Sequence, residues 1–189
     1  MNRPSDDAVA TRTRPAGDAF ADGICPDCLD RVLTFGDASA SGDEDADLGG
    51  LSRDVVDKQT DGAVSLFNML AEDHGVALLA DEVGTGKTYQ ALGVISMVFA
   101  RKPDARVVVI APNASVQNGW RGKYLDFVSK KLRPARLQDP LTGQPTHPIY
   151  NCENIREFAS EYRDNPRGLF LTRVSSFSNL RGSLHAGTT

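Results

Sequence analysis

Residues 76–88 read VALLADEVGTGKT, and the rest of the chain can be placed outward from them. Val76 to Ala80 is a short continuous apolar run, long enough for a strand buried on both faces and short for a helix. Gly84-Thr85-Gly86-Lys87-Thr88 follows, and Tyr89 to Ala100 then offers Leu92, Ile95, Met97, Val98 and Phe99 for packing on a helix, with Arg101 and Lys102 at its negative end. Strand, glycine turn and helix in that order make a phosphate-binding loop. Gly84 and Gly86 let backbone N–H groups approach phosphate oxygens in conformations other residues avoid. Lys87 reaches the β- and γ-phosphates as a point charge, the Thr88 hydroxyl takes Mg²⁺, and the helix points its positive end at the triphosphate. ATP with Mg²⁺ is the expected ligand. Gly84, Thr85, Gly86, Lys87 and Thr88 are its expected binders, and Lys87 and Thr88 the expected catalytic pair.

On either side the texture is α/β. Thr60 to Asp73 carries Val64, Leu66, Phe67, Leu70 and Ala71 near helical spacing, which predicts an amphipathic helix ending before Gly75. Arg106 to Ala111, RVVVIA, is a second buried-strand candidate rich in β-branched residues. Residues 114–129 predict a helix with Val116, Trp120, Tyr124, Phe127 and Val128 at core-like offsets, and Trp120 is more readily a core aromatic than a stacking residue. Residues 132–150 contain four prolines and little periodicity, which predicts a long loop. Glu153 to Tyr162 predicts a further helix and Gly168 to Thr172 a third strand. Strands alternating with helices imply a parallel sheet flanked by helices.

The 189 residues suit one domain with a tail. The chain carries a formal charge of −4, while residues 1–50 alone hold eleven acids and four bases, so the acidity belongs to that end. Residues 1–20 and 36–50 are too polar to bury a core and are expected to be disordered, giving a boundary between an acidic tail, 1–50, and a folded lobe, 51–189. Between the two polar stretches, Ile24, Leu29, Val32, Leu33 and Phe35 suffice for a turn or two of amphipathic structure around Cys25-Pro26-Asp27-Cys28. That cysteine pair fits a mobile tail, half of a zinc site, or redox chemistry, and Cys152 is the only other thiol. No apolar run of membrane-spanning length and no signal pattern is present, so the default expectation is a cytoplasmic protein with no membrane partner.

One departure from the general phosphate-loop pattern GxxxxGK[ST] is informative: its first glycine position holds Asp81. The form DEVGTGKT, preceded by LLA, resembles motif I of superfamily-2 helicases, especially the Swi/Snf-type DNA translocases. Gln59-Thr60-Asp61-Gly62 matches that family's upstream Gln-x-x-Gly, in which the glutamine amide reads adenine. VVVIAPNASVQNGWRGKY is similar to motif Ia, with Pro112 and Trp120 at matching positions one residue further apart than the family pattern, and GLFLTRVSSF resembles the motif Ib region at Thr172. The resemblance implies a partial RecA-like lobe, adenine recognition by Gln59, and DNA contacts from Pro112, Lys123 and Thr172. Arg121, Lys123, Lys130, Lys131, Arg133 and Arg136 form a basic segment beside motif Ia, suited either to a solvated face or to the phosphates of double-stranded DNA. Hydrolysis in the family also needs an Asp-Glu-x-His block on a later strand and an arginine finger from a second RecA-like lobe. Neither is visible in these residues, so the expectation is the ATP-binding part of a longer translocase. A non-hydrolysing nucleotide- or DNA-binding module and a different phosphate-loop enzyme are the alternatives.

Overall fold

The computed structural model describes residues 23–36, 52–72, 76–80, 84–133 and 147–178. The polar stretches 1–20 and 37–50, the Asp81-Glu82 pair, Arg136 and most of the proline-rich segment lie outside the described residues.

Among the described residues three parallel strands form the sheet: β1 (Arg106–Ala111), β2 (Ile149–Asn151) and β3 (Gly168–Arg173), in the order β1-β3-β2. Arg106 pairs with Gly168 and Ala111 with Arg173 along the β1 ladder, while Ile149 pairs with Leu169 on the other side. β3 is therefore central. Its residues 168–172 are all buried, as a strand covered on both faces must be. Side chains alternate across the sheet. Val107, Val109, Leu169 and Leu171 face the main core, whereas Phe170 faces an aromatic layer of Tyr150, Phe158 and Tyr162.

Among the described residues, six helices surround the sheet. They are α1 (Pro26–Asp30), α2 (Arg53–Ala71), α3 (Lys87–Arg101), α4 (Ala114–Lys130), α5 (Ile155–Asp164) and α6 (Val174–Ser178). α3 is the most enclosed, with Leu92, Ile95, Met97, Val98 and Phe99 all buried. α4 lies against the sheet through Tyr124, Phe127 and Val128, and Trp120 packs partly buried at the edge of the same core. α5 covers the opposite face with Phe158 and Tyr162. Asn113 and Asn154 accept backbone N–H bonds at the starts of α4 and α5, which fixes where each helix begins. No helix among the described residues is long and apolar enough to cross a membrane.

Two expectations change. Residues 76–80 form no strand or other regular element, and Val76 and Leu78 are 76% and 81% exposed. An apolar run becomes a buried strand only where a neighbour supplies its hydrogen bonds and layers cover its faces. Among the described residues β1 pairs with β3 alone, and nothing pairs with 76–80. The proline-rich stretch also delivers a strand, since its last residues open β2.

The docking of the N-terminal apolar turn, left open by the sequence, is seen directly. Ile24, Leu29, Val32, Leu33 and Phe35 are buried in the same core as α2, α3 and α4. Leu33 forms an antiparallel bridge with Leu132, Thr34 N–H donates to Lys131 O at 2.8 Å and Arg133 N–H to Val32 O at 2.9 Å. Asn68 of α2 holds Ile24 twice, accepting from its N–H at 2.7 Å and donating to its carbonyl at 2.9 Å. Phe35 meets Phe127 edge-on at 6.2 Å and rests over Gly93, where a Cβ would fall 2.9 Å from the ring. If residues 23–36 are part of the core, Phe35→Ala lowers stability by about 3–5 kcal/mol in urea denaturation. A change below about 0.5 kcal/mol would mark them as an ornament on an independent lobe.

Candidate nucleotide site

The loop and the two helices beside it are built by an exchange of side chains between α2 and α3. On α2, Gln59, Ala63 and Phe67 recur every fourth residue and form its buried stripe. Gln59 extends its amide to Gly86, the N-cap of α3, so that a Cβ at Gly86 would fall on Nε2. One turn on, the relation reverses: Gln90 of α3 lies over Gly62 of α2, where a Cβ would fall 2.5 Å from Oε1. Each helix thus gives one glutamine and receives one on a bare glycine. Both glutamines are buried, Gln59 at 7% and Gln90 at 2% exposure.

Gly86 is constrained a second time, by its backbone. Its φ of 83° and the 95° of Gly84 lie in the left-handed region, where a Cβ costs about 1–2 kcal/mol. The positive φ at 84 and 86 turns the chain into the first turn of α3. Lys87 and Thr88 occupy that turn, both half-buried. A Cβ at Gly84 would meet nothing within 4 Å, so its need for glycine comes from backbone conformation and not from crowding.

A cavity of about 740 Å³ opens beside this loop, lined by Val55, Lys58, Asp61 and Gly62 of α2 together with Ala80, Gly84, Thr85 and Gln90. Its size lies within the range of small-molecule and cofactor pockets. Gln90 reaches the cavity wall and Gln59 instead packs on Gly86. Gln90 was not singled out by the sequence reading, although its spacing of four from Gly86, set against three from Gln59 to Gly62, carries the signal.

The remaining expected residues are more dispersed. Pro112 is exposed at the end of β1, next to the Asn113 cap. Lys123 is exposed on α4, and its Nζ lies 3.4 Å from the Thr88 hydroxyl, so it faces the first turn of α3. The neighbouring pair Tyr89 and Asp126 meets at 3.4 Å, and the buried part of Tyr89 together with that carboxylate raises the phenol's pKa. Thr172 is fully buried near the end of β3, with its hydroxyl enclosed. Gln117 is also buried and ties α4 to the ends of β2 and β3, donating to Cys152 O at 2.8 Å and Leu171 O at 3.2 Å. The basic segment is divided: Lys130 pairs with Asp126 at 2.7 Å, while Lys131 donates to Phe35 O at 2.7 Å and to Gly36 O, and Arg133 to Asp30 O. Lys131 and Arg133 therefore fasten the N-terminal segment.

Glycine substitutions separate the roles of these positions. Gly86→Ala should destabilise the chain by about 1–2 kcal/mol through left-handed strain. Gly119→Ala, in the middle of α4 with nothing within 4 Å of its Cβ, should instead stabilise it by about 0.5–1 kcal/mol. Thermal or urea denaturation reads both, and equal signs at the two positions would contradict the backbone assignment.

Among known families, residues 53–181 match the one described as the res subunit of type III restriction enzymes. A stretch of 48 residues is 46% identical to the chromatin remodelling factor mit1 of Schizosaccharomyces pombe, and it amounts to 25% of this chain and 3% of that protein. No solved structure matches the chain.

Proposed function

The chain belongs to the res-subunit family of type III restriction enzymes, with the motifs of a Swi/Snf-type superfamily-2 helicase, and from this we propose that it binds ATP with Mg²⁺ at the α2–α3 site. The observation that carries the proposal is the pair of left-handed glycines feeding Lys87 and Thr88 into the first turn of a 15-residue helix beside the cavity. Such a turn presents backbone N–H groups and the positive end of a helix to an anion. Lys87 would pair with the β- and γ-phosphates, and Thr88 would give Mg²⁺ one hydroxyl ligand, the others coming from phosphate and water. When bound, the metal neutralises charge that develops on the transferred phosphoryl group.

Gln59 would serve the adenine end. Its contact with Gly86 supports a second duty, because whatever moves its amide also moves the N-cap of the phosphate-binding helix. In the longer protein we assign ATP use to tracking along double-stranded DNA, with Pro112 and the exposed part of α4 facing the sugar-phosphate backbone. Lys123 would stand between the two ligands, since it projects from the DNA-side helix and reaches Thr88. The division into an acidic segment, 1–50, and an ATP-binding lobe, 51–189, belongs to the same proposal, with residues 23–36 packed onto the lobe. A cytoplasmic setting goes with it.

Lys87→Ala removes the charge-assisted bond to phosphate, worth about 1.5–3 kcal/mol, and should weaken ATP affinity about 10–100-fold in calorimetry. Unchanged affinity would sink the site. The 189 residues hold no Asp-Glu-x-His block, so duplex DNA should stimulate no measurable ATP turnover by this chain alone. Robust DNA-stimulated turnover would mean that a different acid does the work.

A further inference from the structure

Cys25 and Cys28 lie outside the residues matched by the family, 53–181, and away from the nucleotide cavity. Their thiols are hydrogen-bonded, Sγ to Sγ, at 2.7 Å, with Cys25 exposed and Cys28 half-buried. The backbone that brings them together is clamped from several directions. Ile24 is held twice by Asn68, Arg101 donates to Gly23 O at 3.1 Å, and Leu29, next to Cys28, is fully buried. Cys28 N–H and Leu29 N–H both donate to Cys25 O, at 3.0 and 3.2 Å, which closes the turn between the sulfurs.

The surroundings favour thiol chemistry over metal binding. Among the described residues no group of three His, Cys, Asp or Glu side chains comes together to hold a metal. The hydrogen bond from Cys25 is the largest influence lowering the Cys28 thiol's pKa, and the charges of Arg31 and Arg101 act in the same direction. Such guanidinium charges stabilise a thiolate and oppose a bound cation. Cys152 is the contrast: buried, and pushed up to about 11 chiefly by desolvation.

We propose that Cys25 and Cys28 form a thiol–disulfide exchange site that takes a low-molecular-weight disulfide such as oxidised glutathione. Cys25, the exposed member, attacks one sulfur of that disulfide as its proton passes to the Cys28 thiolate, forming a mixed disulfide and expelling one thiolate. Cys28 then attacks Cys25 Sγ, closing the intramolecular bond and expelling the second thiolate. The two cysteine protons end on the two expelled thiolates, and two electrons pass from the cysteine pair to the reagent. Because both cysteines sit in the docked segment, oxidation and docking strengthen each other by the same factor.

The test uses the whole 189-residue chain, equilibrated across glutathione redox buffers, acid-quenched, alkylated and weighed. A single two-electron transition confined to Cys25 and Cys28 is expected, with Cys152 remaining a thiol. Cys28→Ser should accumulate a glutathione adduct at Cys25. Asn68→Ala should shift the equilibrium about tenfold toward the dithiol, or about 30 mV. Val32→Ala, a milder variant that loosens the same buried segment without removing a charge beside the sulfurs, should shift it the same way. Both thiols staying reduced throughout, an unresolved glutathione adduct on the unsubstituted chain, or stoichiometric zinc held by the two thiols would overturn the proposal. Unchanged midpoints in both docking variants would overturn the link to the fold.

Discussion

The exchange of glutamines between α2 and α3 is the contact on which the site depends. Two helices meet most closely where one of them lacks a side chain, and here each lacks one opposite the other's amide. Gln59 over Gly86 fixes the start of α3 from outside, and Gln90 over Gly62 fixes the same pair one turn deeper. A shift of either helix by a single residue would drive an amide into a Cβ-bearing position. The register between α2 and α3 is thus set by packing of the chain's own side chains.

The rest of the structure can be seen as support for that register. Phe35 lies over Gly93 on the far side of α3 and meets Phe127 of α4, so α3 is wedged between α2, α4 and the N-terminal segment. Asn68 and Arg101, toward the ends of α2 and α3, both hold the segment that carries Cys25 and Cys28. The redox state of that pair therefore acts at the opposite end of the helices from the phosphate loop. α4 closes the arrangement, bonded to strand ends through Gln117 and brought to the loop through Lys123.

Much of this was legible in sequence because it is local. RVVVIA is β1 to the residue, and the helix after the loop was misplaced by only two residues at its start. The turn at Gly84 and Gly86 was legible because positive φ leaves so few residue choices. Val76–Ala80 misled because hydrophobicity reports what a segment could bury, and burial needs partners that a local pattern does not contain. Thr172 was marked by the likeness of GLFLTRVSSF to a family motif, and its full burial comes from the layers packed on β3, which no local pattern contains. Lys131 and Arg133 resembled a nucleic-acid patch in sequence, yet their partners are carbonyls roughly a hundred residues upstream, a pairing that no window of sequence reveals.

β1 has a further consequence for motion on slow timescales. It is hydrogen-bonded to β3 along one side, and among the described residues nothing pairs with its other side. Val108 and Ile110 are exposed on one face while Val107 and Val109 are packed on the other. Alternate amides of this strand point to the ladder and to solvent, so their deuterium uptake should alternate between slow and fast along one six-residue segment. The central β3, flanked on both sides, would exchange through the opening of the whole sheet. Among the described residues, the strand that leads into Pro112 and α4 is thus an edge of the sheet, able to open without parting β3 from β2.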